Sequence, residues 1–115
     1  MNNQRLQQLI SFVEQDPTDP FLRYALAMEY LKLGKPAKAE ELFRHLLTNH
    51  PDYVGTYYHF GKLLVETDRT PEALEVYAKG KEVAAAAGEA NALRELKEAE
   101  AMARAANDDD DDEEW

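Results

Sequence analysis

Three histidines, the side chains that titrate near neutral pH without help, are the first candidates for chemistry in this 115-residue chain. His45, His50 and His59 include no pair at the i, i+4 spacing of a helical metal site. No constellation of nucleophile and carboxylate accompanies them, and the sequence has no glycine-rich phosphate loop. The absence of cysteine excludes disulfides and thiolate zinc sites. The sequence therefore predicts a protein that is not an enzyme and that takes no metal or cofactor.

The strongest concentration of charge is the C-terminal run NDDDDDEEW, residues 107–115. This run holds seven of the 23 acidic residues, so the rest of the chain carries 16 acidic against 13 basic residues. It lacks the alternating ligands and the turn glycine of a calcium loop. Because it has almost nothing apolar to bury, we predict a disordered acidic tail over 107–115.

The distribution of basic residues and the N-terminal sequence argue against nucleic acid and membranes as partners. Basic residues are scattered singly along the chain, which argues against nucleic acid as a partner. The N-terminal sequence MNNQRLQQLISFV carries polar residues every few positions, so we expect neither a signal peptide nor a membrane span. A cytoplasmic protein that does not associate with membranes is the expectation.

An internal repeat organises the chain. The segment LGKPAKAEELF has a counterpart 34 residues later, TDRTPEALEVY. On that offset similar residues correspond: Ala39 with Ala73, Glu41 with Glu75, Leu42 with Val76 and Phe43 with Tyr77. An offset of this length is typical of a helical repeat in which two helices form each unit.

Capping residues and prolines divide the repeat into helices. Asp19 followed by Pro20 predicts a helix start, and Gly34 predicts a left-handed cap at the end of that helix. Pro36 then starts a second, antiparallel helix at once. We predict six helices: an N-terminal half-repeat helix at 3–16, two helix pairs in repeats at 20–53 and 54–87, and a capping helix at 89–106.

The period and its apolar residues closely resemble the tetratricopeptide repeat family. The matches are Leu26, Ala27, Tyr30, Ala39, Phe43 and Pro51 in the first repeat, and Tyr57, Phe60, Gly61, Ala73 and Tyr77 in the second. Arg23, Leu64 and Ala85 depart from the family pattern. The resemblance covers about residues 3–87. It implies an all-α fold, a right-handed α-solenoid of antiparallel helix pairs in a domain at 1–106.

Small residues at matched positions predict close packing within each helix pair. Ala27 and Gly61 lie on the first helix of each pair, where an alanine of the second helix must approach. A larger side chain there would wedge the two helices apart. The predicted packing residues are Ala27, Ala39, Phe43, Gly61, Ala73 and Tyr77.

In the resembled family, ligand peptides lie in a concave groove lined by the first helix of each pair. The residues that this resemblance places in the groove are Tyr24, Met28, Lys32, Tyr58 and Lys62. Tyrosine offers an amphipathic plane, and methionine offers a flexible filler. The expected function is protein binding: a scaffold or adaptor that holds a peptide or partner segment chiefly by apolar contact, with lysines available to an acidic flank.

Two alternatives stay open at this stage. In the first, the same aromatic surface serves self-association in a structural homo-oligomer, which would hide the groove. In the second, Trp115 at the end of the acidic tail docks its indole against Tyr24, Met28 and Tyr58. The acidic residues of the tail would then meet Lys62, either within one chain or in a weak homodimer.

Overall fold

The computed structural model describes residues 3–112, and within that range the chain forms six helices and no strand. The helices are α1 (Gln4–Gln15), α2 (Pro20–Lys32), α3 (Pro36–Asn49), α4 (Gly55–Glu66), α5 (Thr70–Ala87) and α6 (Ala90–Asp112). The prediction of an all-α helical repeat fold with six helices is confirmed. None of the helices over 3–112 is long and apolar enough to cross a lipid bilayer.

The chain divides into two compact units, Met1–Tyr53 and Val54–Trp115. The first unit holds α1, α2 and α3, and the second holds α4, α5 and α6. The division falls between residues 53 and 54, where the first predicted repeat ends and the second begins.

In the first unit, α2 packs against both α1 and α3. Leu6 and Leu9 of α1 are buried together with Leu26 of α2, which gives the N-terminal helix its anchor. Arg23, where the sequence departs from the repeat pattern, donates a hydrogen bond to the carbonyl of Pro17. This departure therefore ties α2 to the turn that precedes it.

The break between α2 and α3 is a tight left-handed turn. Gly34 has φ +74°. The N–H of Lys35 donates to the Tyr30 carbonyl at 2.9 Å, and the N–H of Gly34 donates to the Leu31 carbonyl at 3.1 Å. This pair of bonds is the Schellman motif, which satisfies the last carbonyls of a helix. Pro36 can then open α3 at once because its missing N–H is not needed there.

The same turn ends two helices of the second unit. After α4 the left-handed residue is Asp68, with φ +61°, and the N–H of Arg69 donates to the Leu64 carbonyl at 2.8 Å. After α5 it is Gly88, with φ +71°, and the N–H of Glu89 donates to the Ala84 carbonyl at 2.9 Å. The second unit therefore uses an aspartate where the first uses a glycine.

Close approach within the second unit depends on two helical glycines. A Cβ at Gly61 would lie 2.2 Å from Cε1 of the Tyr77 ring, so α4 and α5 meet there without room for a methyl group. A Cβ at Gly80 would lie 2.5 Å from Cβ of Tyr57. The predicted packing residues are all buried: Ala27, Ala39, Phe43, Gly61, Ala73 and Tyr77.

The last helix, α6, packs against α5 and also contacts α4. Leu96 anchors it with 1% of its surface exposed. Lys81 Nζ of α5 lies 2.7 Å from Glu100 Oε1, and Arg104 reaches the same carboxylate at 3.4 Å. Side-chain packing and an ion pair therefore both fix α6 on the second unit.

The end of α6 differs from the prediction. The helix runs to Asp112 rather than to residue 106, so part of the segment 107–115, predicted to be disordered, has a helical backbone. The run AMARAA just before it is rich in strong helix formers, and adding a residue to an existing helix costs far less than starting one. The prediction for Trp115 lies outside the described residues.

Candidate binding cleft

An open cleft of about 520 Å³ lies within the second unit, between α4 and α6. From α4 the lining residues are Tyr58, Lys62, Val65 and Glu66. From α6 they are Glu95, Glu98, Ala99, Met102, Ala103 and Ala106. Tyr77 of α5 also lines the cleft, and only 3% of its surface is exposed.

The base of the cleft follows from the packing of the glycine in α4. Because Gly61 has no side chain, the Tyr77 ring lies directly against the α4 backbone. Burial raises the pKa of the Tyr77 hydroxyl to about 12, with smaller contributions from Tyr58 and Glu66. The hydroxyl is therefore neutral at physiological pH, and the base of the cleft is uncharged.

The walls above that base are apolar and partly open to solvent. Val65 of α4 is half-buried, and the small side chains of Ala99 and Ala106 leave room on the α6 side. Met102 is 74% exposed, the most exposed of the large hydrophobic residues described. A flexible thioether in this position can adjust to the shape of an incoming apolar side chain.

The rim of the cleft carries more acidic than basic side chains. It carries one basic residue, Lys62, against three acidic ones, Glu66, Glu95 and Glu98. Glu98 forms an ion pair with Arg94 at 3.7 Å, and both side chains are more than half exposed. At physiological pH the rim therefore has a net negative charge.

His59, next to Tyr58 on α4, is half-buried beside this rim. Burial is the main cause that lowers the pKa of its imidazole, the Lys62 ammonium lowers it further, and Glu95 opposes the shift. This shift favours the neutral imidazole, and its ring meets the Tyr58 ring edge-on with centroids 5.1 Å apart. Over the part of the chain that the structure describes, no three potential ligand side chains are grouped to hold a metal ion.

The predicted groove residues fall into two sets. Tyr58 and Lys62 both line the cleft. Tyr24, Met28 and Lys32 lie on α2 in the first unit, with Lys32 exposed and the other two half-buried. A groove that uses both sets stays a prediction.

Tyr24 is surrounded by aromatic side chains of its own unit. Its ring centroid lies 5.7 Å from that of Tyr53 and 6.5 Å from that of Phe21. Burial raises the pKa of the Tyr24 hydroxyl above its ordinary value. Phe21 itself is 57% exposed, so this cluster offers an apolar surface of its own.

Sequence reasoning missed the α6 side of the cleft. From the sequence, α6 was expected to be a capping helix whose apolar side presents Leu93, Leu96, Ala99 and either Met102 or Ala103. In the structure Leu96 and Ala103 are buried, whereas Met102 is exposed. The apolar residues at 96, 99, 102, 103 and 106 form one stripe of ordinary width for a helix that packs on a core, so their spacing carried no signal of an open cleft.

Comparison with known proteins identifies the repeat. Two tetratricopeptide repeat family models match the sequence, one over residues 30–95 and the other over residues 11–41. The first of these matches covers more than half of the chain. The chain belongs to the tetratricopeptide repeat family. The resemblance drawn from the sequence is confirmed.

Two solved structures of a tetratricopeptide repeat domain protein from Salinibacter ruber are similar to this chain. The crystal structure is 50% identical, covers 75% of this chain and 97% of its own, and superposes with a TM-score of 0.73. The solution NMR structure is 51% identical, covers 76% of this chain and 89% of its own, and has a TM-score of 0.74. No curated protein gave a significant match. Tetratricopeptide repeats are in general non-enzymatic protein–protein interaction modules, and this fold is of that kind.

Proposed function

We propose that this tetratricopeptide repeat protein is an adaptor whose cleft between α4 and α6 holds a segment of a partner polypeptide. The observation that carries the proposal is the cleft itself, with an apolar base at Tyr77 and an exposed methionine at its edge. The volume of the cleft lies within the roughly 300–1,000 Å³ of pockets that bury most of a drug-sized ligand, which leaves room for side chains of a bound segment. Apolar contact supplies the affinity, and the charged rim orients the segment.

Tyr58 and Lys62 are the proposed contacts on α4. Tyr58 presents a rigid aromatic surface at low entropic cost, which is why tyrosine is frequent at binding hot spots. Tyr24, Met28 and Lys32 occupy matching repeat positions on α2, and we propose them as further contacts for the same partner. These assignments make the chain a binding scaffold with no chemistry of its own.

The test is selection from a display library of random peptides about 12 residues long, enough for about three helical turns. The full chain is immobilised, and enriched peptides are synthesised and titrated against variants. Tyr58→Ala and Met102→Ala are expected to weaken binding about tenfold or more, as for residues at the centre of an interface. Phe12→Ala is the matched control, since it removes a 47% exposed aromatic side chain on α1, outside the cleft.

Two results would refute the proposal. One is a library that yields no enriched peptide. The other is a set of enriched peptides that bind the wild type and both cleft variants equally. Circular dichroism of each variant separates loss of binding from loss of fold.

Self-association is the second candidate function, and the exposure of Met102 favours it. A methionine that is 74% exposed beside an apolar cleft is a contact point for another copy as well as for a partner. Light scattering at several concentrations distinguishes the two functions. An adaptor keeps the monomer mass of 13.1 kDa throughout, whereas a structural homo-oligomer shows a larger mass that falls on dilution.

A further inference from the structure

We propose that the segment bound in the cleft is cationic: an apolar side chain that enters the cleft, flanked by arginine or lysine that meets the glutamates of the rim. This inference rests on the function proposed above and specifies the partner of the same site. It reverses the charge expected from the sequence, where the lysines pointed to a partner with an acidic flank.

The charge on the rim comes from both walls of the cleft. Glu66 belongs to α4, and Glu95 and Glu98 belong to α6, so a bound segment meets carboxylates on two sides. Lys62 offsets one of the three charges. A partner cation between two carboxylates gains from both, whereas a partner carboxylate would have Lys62 alone to offset three repulsive charges.

The carboxylates are available to a partner. Within residues 3–112 neither Glu66 nor Glu95 forms an ion pair. Glu98 has its partner Arg94 one turn away on the same helix, but the 3.7 Å contact joins two exposed side chains and contributes little. Binding a cation here therefore requires no strong internal ion pair to break.

The backbone of α4 adds to the same field. Glu66 is the last residue of α4, so the negative end of that helix dipole lies at the cleft. Cations are favoured near a helix C-terminus, and anions are disfavoured there. The Tyr58 ring can also stack with a planar guanidinium, which favours arginine over lysine at this position.

The same charges argue against the acidic C-terminal sequence as the occupant. Beyond Ala106, which lines the cleft, the sequence continues with seven acidic residues and no basic one. Repulsion from the rim opposes docking of that sequence, and it also opposes any acidic partner peptide. We therefore expect Trp115 to emit at the wavelength of a solvated indole in the full chain at low salt.

The decisive experiment uses the peptides enriched in the display selection. The inference predicts that lysine and arginine are over-represented in them relative to the starting library. Glu66→Gln and Glu95→Gln are each expected to weaken binding of an enriched peptide about two- to fivefold, the usual range for one exposed charge pair. Glu75→Gln is the matched control, because Glu75 is an exposed glutamate of α5 that does not line the cleft.

Salt gives an independent measurement on the same peptides. Raising the ionic strength from about 0.1 M to about 1 M shortens the Debye length from about 10 Å to about 3 Å. The wild type should lose affinity over this range, and the double variant Glu66→Gln, Glu95→Gln should lose less.

The outcomes separate this inference from the proposed function. Enriched peptides that are neutral or acidic, and that still depend on Tyr58, would leave the binding function standing and overturn the inference. A blue-shifted Trp115 emission that moves red in Lys62→Glu would place the acidic tail in the cleft and would also overturn it. Failure to enrich any peptide that depends on the cleft would overturn the function and the inference together.

Discussion

The two units are built on the same repeat, yet they differ in what their terminal helix does. In the first unit α1 packs against α2, whereas in the second α6 packs against α5 and also contacts α4. An open cleft exists where α6 and α4 meet. The cleft of this protein therefore depends on the helix that packs beside the repeat as well as on the repeat itself.

Charge separates the units as clearly as helix packing does. Residues 1–53 carry six basic and seven acidic residues, and residues 54–115 carry seven basic and sixteen acidic residues. The first unit is thus close to neutral, and the second is strongly acidic. A cationic partner would be attracted to the second unit before any contact forms, which is the usual effect of a one-signed surface on association rates.

The largest effect should come from loosening the terminal helices. Leu96→Ala removes the main anchor of α6 and should lower the free energy of unfolding by about 2–5 kcal/mol, the range for a buried leucine. Leu9→Ala, its counterpart on α1, should fall at the lower end of that range because α1 packs mainly on one helix, α2. Urea denaturation followed by circular dichroism measures the free energy of unfolding of both variants. A larger decrease for Leu9→Ala than for Leu96→Ala would contradict the expected difference between the two units.

The next effect concerns the small residue at the helix crossing, which is alanine in the first unit and glycine in the second. Gly61→Ala should destabilise by about 1–2 kcal/mol, because the new methyl group collides with the Tyr77 ring and the strain exceeds the gain in helix propensity. Adding Tyr77→Leu should restore part of the loss. Thermal denaturation of the single and double variants gives the coupling energy, and additive effects would show that the two residues do not collide.

A smaller effect is expected at the turns between paired helices, where Gly34 in the first unit corresponds to Asp68 in the second. Both residues are left-handed, a conformation that costs aspartate energy and glycine almost none. Asp68→Gly should therefore stabilise the protein by about 0.5–1 kcal/mol, and Gly34→Ala should destabilise it by about 1 kcal/mol. Chemical denaturation checks the signs, and a destabilised Asp68→Gly variant would show that the aspartate side chain has a compensating role.

The substitution with the smallest expected effect at neutral pH is Tyr77→Phe. It gives the second unit the phenylalanine that the first unit has at the same repeat position, Phe43. The pKa of Tyr77 rises from its ordinary value near 10 to about 12, so the unfolded chain loses the proton first as the pH increases. The stabilisation from a neutral Tyr77 is thus complete below pH 10 and is lost between pH 10 and 12. Tyr77→Phe should unfold with a shallower pH dependence in that window and with nearly unchanged stability at pH 7.

Two tyrosines of the first unit, Tyr24 and Tyr53, provide the control for this measurement. Burial also raises the pKa of Tyr24 and Tyr53, so some alkaline loss of stability should persist in Tyr77→Phe. Pairing it with Tyr24→Phe should flatten the curve further. Identical pH curves for the wild type and Tyr77→Phe would show that Tyr77 does not titrate with a shifted pKa.

Much of the local structure could be predicted because it depends on neighbouring residues. Asp19 accepts a hydrogen bond from the N–H of Phe21 at 2.9 Å, and Gly34 is left-handed, as its position indicated. The end of α6 could not be located from the sequence, because two preferences oppose each other there. The alanines before residue 107 favour extension of the helix, whereas acidic residues are unfavourable in the last turn of a helix. Local preferences that oppose each other leave such a boundary undecided.

The candidate site was predictable only in part. Tyr58 and Lys62 followed from their repeat positions, but Glu95 and Met102 on α6 did not, because α6 departs from the repeat pattern. The spacing of its apolar residues predicted the side of α6 that holds Leu96, but it did not indicate that part of this side lines an open cleft. The acidic rim was missed for the same reason, since it forms only when α6 lies beside α4.

The sequence by itself determined the helices, their pairing and the small residues at their crossings, because capping, proline positions and a 34-residue period act over short distances and recur. Tertiary structure decided that Met102 is exposed whereas Ala103 is buried, where the cleft opens, and that three glutamates line it with one lysine. Those features bring together residues some 30 or more positions apart in the sequence, such as Lys62 and Glu98, which line the same cleft. A packed neighbour selects among the faces of a helix that local sequence leaves equivalent.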